Sequence, residues 1–516
     1  VLSPPDGAAA GGSFSLRETL SCWPGVNMVL LTIIIAACAQ LGGIGVGCSL
    51  SSHRSRSNGW RDEGPEGFDP DFTYRNGSSY RRKLRFVTTK TKTAGPGTAA
   101  EVAPAEEEAE APRGKGLVPQ AVDAVRGLFF PESKPCKVLI LFSDTGGGHR
   151  ASALAMEAAF DLAYPGRFQC ELLDLWRHHS VPPLNTLVET YQFAAKNPWV
   201  WELMYVNADF PMTRWIFQEL GNATSFKKFR AVFEEKAPDL IISVHPLCQN
   251  LPLRVLKAMG GGKRAVPFVT VCTDLGGAHP TWFSPEADRV YIPSAPIRRM
   301  AFREGVPAPK LRELGLPIRP AFWNSGEDQK KVQGKLAMQR GVPSVLIVGG
   351  GDGVGGLKNV ALATINELGR AGAPRQAIVV CGSNAALQEE LGSMNFPTSV
   401  NVIVNGYVKN MDEWMAACDV LITKAGPGTI AEAAIRGLPV MLSNYLPGQE
   451  EGNLDFVRDH GFGEYSPDPA TIAATVEGWL RDPERLRAMR ERALAAGRPK
   501  ATNDIIHDVA DFIGVR

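Results

Sequence analysis

The sequence predicts an α/β protein in which two Rossmann-like domains, each built on a parallel sheet, face each other across a cleft. From Pro135 onwards, short apolar runs alternate with stretches of helical pattern. Continuous apolar runs bounded by turn residues are typical of strands buried on both faces, and their alternation with helices is typical of parallel sheets. The runs are too numerous for one doubly wound sheet, and a Pro-rich polar segment at 316–328 divides them into two sets.

Each set of runs defines one predicted domain. The first set, KVLILFSD, PDLIISVHP, VPFVTVCTD and DRVYIPS, lies in residues 131–322. The second set, PSVLIVGGG, QAIVVCGS, VNVIVNGY, CDVLITKAG and LPVMLSN, lies in residues 323–500. We expect the last segment, 501–516, to form a helix that crosses back to the first domain.

Residues 1–130 have a different composition and are predicted to be a disordered tail. The segment 28–48 is almost wholly apolar, and about 20 such residues can span a bilayer as a helix. A Ser- and Arg-rich stretch without acidic residues follows it, which is typical of an organelle transit peptide. We therefore expect a cleaved targeting segment, while a retained transmembrane anchor and a mis-joined sequence stay open. Residues 61–115 are charged and rich in Pro, Gly and Ala, which favours disorder.

Charge and cysteine content argue against several classes of protein. The chain has 55 Lys and Arg against 54 Asp and Glu, and no motif that reads nucleic acid accompanies this balance, so we expect no nucleic-acid partner. The nine cysteines occur singly, which suits free thiols in a reducing compartment and offers no zinc-ligand spacing. The Asp-x-Asp at 69–71 lies in the tail, so we expect neither a metal nor a cofactor.

The first motif with chemical meaning is SDTGGGHRASA, residues 143–153, directly after a predicted strand. Gly147 and Gly148 permit a sharp turn and close approach of the backbone to a ligand. The helix that starts near His149 presents unpaired N–H groups to an anion and disfavours the cationic form of the histidine. His149 is therefore a candidate general base, although a histidine that merely fills space in a glycine-rich turn is the alternative.

The second motif is GGGDGVGG, residues 349–356, between a strand and a helix. No Lys-Ser or Lys-Thr follows its last glycine, so it is not a Walker A loop. Gly350 and Gly351 are candidates for contact with phosphate, with tight packing as the alternative.

The third motif, TKAGPGTIAEAAIRGLPV at 423–440, is the most informative. Lys424 leaves a buried strand, and Gly426, Gly428 and Thr429 open a helix whose N-terminus can meet a pyrophosphate. Glu432 lies one turn into this helix, where a carboxylate can accept hydrogen bonds from a ribose diol. A capped helix with a carboxylate favoured by the helix dipole is the alternative.

The fourth motif, NYLPGQEEGNLDF at 444–456, follows the strand LPVMLS. Gln449, Glu450 and Asn453 are polar side chains at the carboxyl end of a strand, where α/β proteins bind ligands. They are suited to sugar hydroxyls, and a polar surface loop is the alternative.

Aromatic residues are concentrated in the segment 191–233, where 11 of 43 residues are aromatic, against 8% for the whole chain. Basic residues lie between them. Aromatic side chains beside cations suit the headgroup region of a bilayer, so we expect this segment to contact a membrane. An ordinary helical core is the alternative.

Together these motifs resemble glycosyltransferase family 28, of the GT-B fold, and within it the monogalactosyldiacylglycerol synthases of plastids. The pieces that carry the resemblance are SDTGGGHRASA, VHPLCQNLPL, VTVCTDLGGAHPTWF, GLPIRPAFW, LIVGGGDGVGG, VNGYVKNMDEWMAACDVLITKAGPGTIAEA and NYLPGQEEGN. They cover the chain from about Lys137 onwards. The resemblance implies transfer of galactose from UDP-galactose to 1,2-diacylglycerol with inversion.

The resemblance also implies roles for single residues. His149 resembles the base that deprotonates the acceptor hydroxyl, with His279 as the rival base, and Asp144 or Asp274 would orient it. The remaining implied roles are the ribose ligand (Glu432), the pyrophosphate turn (426–429), the sugar ligands (Gln449, Glu450), the uracil and phosphate region (350–356 with Val408) and the acceptor or lipid side (Pro183, His279, Trp282). Anionic membrane lipid is implied as an activator and partner, and the chloroplast envelope membrane as the location, with peripheral or monotopic attachment.

Three other functions stay open at this point. A related transferase would use UDP-glucose or UDP-N-acetylglucosamine on a lipid acceptor. A UDP-sugar epimerase would share the two facing domains but need no lipid surface. A catalytically inactive binding protein would lack the base or the ribose ligand, whereas His149 and Glu432 are both present.

Overall fold

A computed structural model describes residues 134–515, apart from 198–199, 202–203, 206–210, 265, 325 and 350–355. The predictions for residues 1–130, including the apolar segment 28–48, therefore lie outside the described residues. Within the described ranges, no helix is both long enough and apolar enough to cross a bilayer.

The first half of the described chain is built on a six-stranded parallel sheet of order β2-β1-β3-β4-β5-β6. Its strands are β1 (Cys136–Phe142), β2 (Phe168–Asp174), β3 (Leu240–Ser243), β4 (Phe268–Val271), β5 (Arg289–Ile292) and β6 (Leu311–Glu313). Its helices are α1 (Gly148–Ala163), α2 (Leu175–His179), α3 (Leu187–Lys196), α4 (Pro211–Lys236), α5 (Asn250–Met259) and α6 (Ala295–Arg303).

The second half is built on another six-stranded parallel sheet, of order β12-β11-β10-β7-β8-β9. Its strands are β7 (Ser344–Val348), β8 (Arg375–Val380), β9 (Val400–Asn405), β10 (Val420–Lys424), β11 (Val440–Asn444) and β12 (Gly463–Tyr465). Its helices are α7 (Gln329–Lys335), α8 (Leu357–Gly369), α9 (Ala385–Gly392), α10 (Met411–Ala417), α11 (Pro427–Arg436), α12 (Glu451–Asp459), α13 (Pro469–Arg481) and α14 (Pro483–Ala496). The predicted pair of Rossmann-like parallel sheets is confirmed.

Both faces of each sheet are covered by apolar side chains. In β1, Leu139 and Leu141 belong to one hydrophobic core, whereas Val138 and Ile140 belong to another on the opposite face. Successive side chains of a strand point to opposite faces, so a continuous apolar run is what two covered faces require. This is why the central strands could be recognised from the sequence.

The last helix, α15 (Ala501–Ile513), packs on the first sheet although it follows the second sheet in the chain. Its Ile505 and Val509 are fully buried in the same core as β1. At its start, the Thr502 hydroxyl accepts from the backbone N–H of Ile318 and donates to the Ile318 carbonyl, both at 2.8 Å. Ile318 belongs to the connection between the sheets, so this contact ties the connection to the C-terminal helix.

The aromatic segment 191–233 lies mostly in the interior, and its contact with a membrane stays a prediction. Phe193 and Trp201 are buried in one core, and Phe229 and Phe233 in another. Four more aromatic side chains of the segment pack partly buried against these two cores: Tyr191, Tyr205, Phe217 and Phe226. Among its described aromatic residues, Trp215 stands out with 59% of its surface exposed. The density of aromatic residues therefore reflects packing of α3 and α4, and only the start of α4 presents an apolar surface.

Candidate active site

His149 lies at the N-terminus of α1, directly after a glycine turn. Gly147 has a φ of 75°, a left-handed conformation that glycine adopts without strain, and α1 begins at Gly148. Nδ1 of His149 lies 2.8 Å from Oγ1 of Thr273, which follows β4. Burial lowers the pKa of the His149 imidazole to about 4, against a hydrogen bond to the Val244 carbonyl that raises it. The ring is therefore neutral near pH 7 and can accept a proton.

Asp144, which we predicted to orient His149, has other partners. Its carboxylate lies 3.5 Å from the guanidinium of Arg150, and its backbone N–H donates to Asp174. A neighbouring arginine attracts a half-exposed carboxylate more strongly than a neutral imidazole does. Among the described residues, the side chain hydrogen-bonded to the ring is instead that of Thr273, which the sequence alone did not single out.

His245 lies two residues after the end of β3. The sequence alone did not single it out either. Its ring centroid lies 4.5 Å from that of His149, edge to face. Its Nδ1 accepts the backbone N–H of Leu247, and its Nε2 lies 3.3 Å from the Thr145 hydroxyl. Since Nδ1 is an acceptor, neutral His245 carries its proton on Nε2 and donates it to Thr145. The sequence signal was the histidine of VHPLCQN, which follows a strand as His149 does.

Trp282 brings the predicted acceptor side next to the histidine. Its ring centroid lies 5.9 Å from that of His149, and its Nε1 donates to Asp274 at 2.6 Å. Burial raises the pKa of the Asp274 carboxyl to about 7, and the hydrogen bond from Trp282 opposes this rise. His279, the rival base, caps the same turn, since its Nδ1 accepts from the backbone N–H of Thr281. That His149 faces the acceptor stays a prediction, with His279 as its rival.

Two further predicted positions, Pro183 and Val408, lie next to elements of the first and of the second half, respectively. Pro183 precedes the short turn Leu184–Thr186, and its carbonyl accepts from the Thr186 hydroxyl at 2.9 Å. Val408 follows β9 and packs half-buried against the core of the second half. Gly350 and Gly351 lie outside the described residues, so their contact with phosphate stays a prediction.

The third motif forms the turn between β10 and α11, as predicted. Gly426 caps the helix, and a side chain at Gly428 would meet no other atom within 4 Å, so the space in front of the helix is open. Thr429 lies in the first turn. Glu432, further along α11, accepts a hydrogen bond from Arg319 at 2.8 Å. Burial raises the pKa of Glu432, and the arginine opposes this. An open, electropositive helix start beside a half-buried carboxylate can hold a diphosphate and a ribose.

Lys424 and the fourth motif meet at the ends of β10 and β11. Nζ of Lys424 donates to Glu450 at 2.8 Å, and the other carboxylate oxygen of this buried glutamate accepts the backbone N–H of Leu446. Gln449 accepts a hydrogen bond from the Tyr191 hydroxyl at 3.1 Å. Tyr191 belongs to α3 in the first half, so the loop that carries the predicted sugar ligands touches both halves of the molecule.

Asn453 joins the two halves in this structure. Its Oδ1 accepts from the backbone N–H of Gly276 in the first half, and its Nδ2 donates to the Ala425 carbonyl in the second. The residue is buried, and both polar atoms are occupied by backbone groups. The amide of Asn453 therefore serves the contact between the halves, and its binding of the donor sugar stays a prediction.

Two parallel α/β halves, with glycine turns and polar side chains at the carboxyl ends of their strands, form the GT-B fold. The profile of the family described as monogalactosyldiacylglycerol (MGDG) synthase matches residues 149–318, and that of the glycosyltransferase family 28 C-terminal domain matches residues 344–505.

Curated plant proteins are similar over most of the chain. The chloroplastic monogalactosyldiacylglycerol synthase of Spinacia oleracea is 42% identical over 390 residues, which cover 74% of this chain and 73% of the spinach protein. Monogalactosyldiacylglycerol synthase 3 of Arabidopsis thaliana is 39% identical over 379 residues, which cover 72% and 80% of the two chains. The chain belongs to the monogalactosyldiacylglycerol synthase family and is a glycosyltransferase of galactolipid synthesis.

Proposed function

We propose that the protein transfers galactose from UDP-galactose to the free hydroxyl of 1,2-diacylglycerol, with inversion at the sugar carbon. The observation that carries this proposal is that a neutral, half-buried His149 in the first half and an open helix start in the second half belong to one contact network. Thr273, which contacts His149, and Gly276 both lie in the loop after β4. Asn453 of α12 accepts from the backbone N–H of Gly276 and donates to the carbonyl of Ala425, just before α11. A base and a diphosphate cradle on opposite sides of a cleft are what direct displacement needs.

The reaction uses His149 as the base. The imidazole takes the proton of the acceptor hydroxyl while the hydroxyl oxygen forms a bond to the anomeric carbon of galactose. The bond from this carbon to the β-phosphate oxygen breaks on the opposite face, and UDP leaves with the bonding electrons. Thr273 holds the ring through Nδ1.

The second half holds the donor and stabilises the leaving group. The start of α11, at 426–429, supports the diphosphate through its unpaired N–H groups, and Lys424 adds a positive charge. Glu432 binds the ribose hydroxyls, in exchange for part of its contact with Arg319. Gln449 and Glu450 bind the sugar. Residues 350–356 and Val408 complete the uracil and phosphate region in this proposal.

The acceptor side is proposed to lie at the membrane. Met212 and Trp215 at the start of α4 are exposed apolar side chains, and Lys227 is exposed on the same helix. Such a surface suits peripheral attachment to a leaflet with anionic lipid, and Pro183 and Trp282 would mark the site where that lipid activates the enzyme. Because plant relatives are named chloroplastic, we place this attachment at the chloroplast envelope.

The division of labour follows the chain. Residues 131–322 form the acceptor and membrane domain, residues 323–500 form the donor domain, and 501–516 return to the first domain. Burial of Ile505 and Val509 beside β1 supports this division. The segment 1–130 is assigned to targeting and tethering.

A donor screen tests the proposed function. Radiolabelled UDP-galactose, UDP-glucose and UDP-N-acetylglucosamine are incubated separately with diacylglycerol vesicles, with and without EDTA. We expect a labelled β-galactolipid from UDP-galactose alone, at the same rate in EDTA. Transfer of glucose or N-acetylglucosamine at a similar rate, or sugar interconversion without acceptor, would refute the assignment. Loss of activity in EDTA that Mg²⁺ or Mn²⁺ restores would refute the part played by Lys424 and α11.

A further inference from the structure

The side-chain amide of Gln449 is held from two sides by residues of the opposite half. The Tyr191 hydroxyl donates to its Oε1 at 3.1 Å. A hydrogen bond with the same side chain lowers the pKa of the Asp274 carboxyl, so the amide nitrogen is the donor and the carboxylate the acceptor. The two contacts fix which end of the amide is oxygen and which is nitrogen, so the remaining lone pair and N–H of Gln449 have set directions.

Asp274 also holds the acceptor side. The Asp274 carboxyl is 4% exposed, and Oδ2 accepts from the buried indole of Trp282 at 2.6 Å. Trp282 in turn contacts the ring of His149. One buried carboxyl group therefore connects the predicted sugar ligand, the acceptor-side tryptophan and, through it, the base.

The loop that carries Gln449 is anchored to the first half by a further contact. Nε1 of Trp201 donates to the Pro447 carbonyl at 2.8 Å, and the rings of Trp201 and Tyr191 meet edge to face with centroids 5.0 Å apart. Tyr191 is thus fixed by packing before it orients Gln449. A side chain held by packing and hydrogen bonds keeps its geometry when a ligand arrives.

We propose that Tyr191 and Asp274 are positioning residues for sugar recognition, which orient Gln449 from across the cleft and so decide which sugar hydroxyl pattern it accepts. This inference rests on the proposed function in one respect, that Gln449 contacts the donor sugar. Galactose and glucose differ only in the direction of one hydroxyl. An amide of fixed orientation pairs with one arrangement and leaves a buried polar group unpaired with the other, which is the strongest source of discrimination available to a binding site.

Two conservative variants test the proposal. Tyr191→Phe removes one hydroxyl and keeps the ring on Trp201. Asp274→Asn keeps an oxygen that accepts from Trp282, but its other atom becomes an NH₂ group that faces the NH₂ group of Gln449. Two donors cannot pair, so the Gln449 amide must rotate by about 180° to present its oxygen. Tyr164→Phe is the matched control, because it removes a hydroxyl that contacts His507 on the surface, remote from this network.

We expect both variants to change recognition of the sugar part of the donor and to leave the affinity for UDP unchanged. In Tyr191→Phe the KM for UDP-galactose rises about three- to tenfold, the usual scale for one neutral hydrogen bond, while the Kd of UDP is unchanged. In Asp274→Asn the ratio of kcat/KM for UDP-galactose to that for UDP-glucose falls about tenfold or more, again with unchanged UDP affinity. Tyr164→Phe behaves as the unmodified protein in both measurements.

Other outcomes have distinct meanings. If both variants keep the KM and the donor ratio, the positioning role is wrong. If UDP affinity falls in parallel with that for UDP-galactose, the two residues act on the fold and the proposal is also wrong. Should Asp274→Asn fail to fold, Tyr191→Phe decides alone. Failure of the proposed function is seen separately, as absence of galactose transfer by the unmodified protein.

Discussion

At His149 the protonation state follows from burial. An exposed histidine has a pKa of about 6.5, whereas here burial lowers the pKa to about 4. A lowered pKa means that the cationic ring loses its proton at a lower pH. Between about pH 4 and pH 6.5, where an exposed histidine is protonated, the His149 ring is therefore neutral. We expect the His149 signal in a histidine-labelled NMR titration, identified by its loss in His149→Ala, to stay unchanged from pH 8 to pH 5.5. A midpoint near 6.5 would contradict the buried, neutral base.

Glu432 and Gln449 should affect different parts of the donor. Glu432→Ala is expected to weaken UDP and UDP-galactose equally, by about 1.5–3 kcal/mol, the scale of a hydrogen bond to a charged group. Gln449→Ala is expected to weaken UDP-galactose alone. Calorimetry with both ligands measures this. Unchanged UDP affinity in Glu432→Ala would show that the glutamate serves only its ion pair with Arg319.

Residues that follow a strand directly were predictable, and their distant partners were not. The glycine run and helix start around His149 and Glu432 are local patterns, so they could be found in the sequence. Thr273 reaches His149 across 124 positions of sequence, and such pairing depends on the order of strands in the sheet. From the sequence alone, Asn453 could contact a ligand or join two parts of the protein equally well. The contact with Gly276 becomes visible only in the structure.

At the scale of elements, Gly276 and Gly452 allow the loop after β4 to approach helix α12 closely. A Cβ at Gly276 would lie 1.9 Å from the Gly452 carbonyl oxygen, whereas a Cβ at Gly277 would find its nearest neighbour at 3.9 Å. We expect Gly276→Ala to force these elements apart, with a loss of about 1–3 kcal/mol in the free energy of unfolding and a clear fall in kcat/KM. Gly277→Ala is the control and should resemble the unmodified protein. Equal thermal stability and activity of the two variants would contradict this contact.

Strands were predicted correctly where both faces of the strand are buried. Runs such as KVLILF and DVLITK are apolar at every position, and only a strand covered on both faces explains that pattern. The segment 191–233 allowed two interpretations, because aromatic residues and cations occur both in helical cores and at membranes. Composition does not say whether the neighbour of Phe229 is lipid or another side chain; in the structure it is the ring of Trp176.

For the whole molecule, membrane attachment should survive removal of residues 1–130. The exposed side chains Met212 and Trp215 belong to the remaining part, and each cation near an anionic leaflet contributes about 1 kcal/mol. We expect the truncated protein to float with anionic vesicles at low salt and to release them as salt rises. Trp215→Ala should weaken flotation, whereas Leu162→Ala, an equally exposed apolar residue on α1, should not. A truncated protein that never floats would place the anchor in the removed segment.

The proposed reaction depends above all on His149, the base in the cleft between the halves that deprotonates the lipid hydroxyl. The most direct test compares turnover and UDP binding in His149→Ala. A general base contributes about 100-fold or more to the rate, and the imidazole has no part in holding UDP. We therefore predict a fall in kcat of at least about 100-fold with an unchanged Kd of UDP. A variant that keeps half of its turnover would contradict the claim and make His279 the candidate.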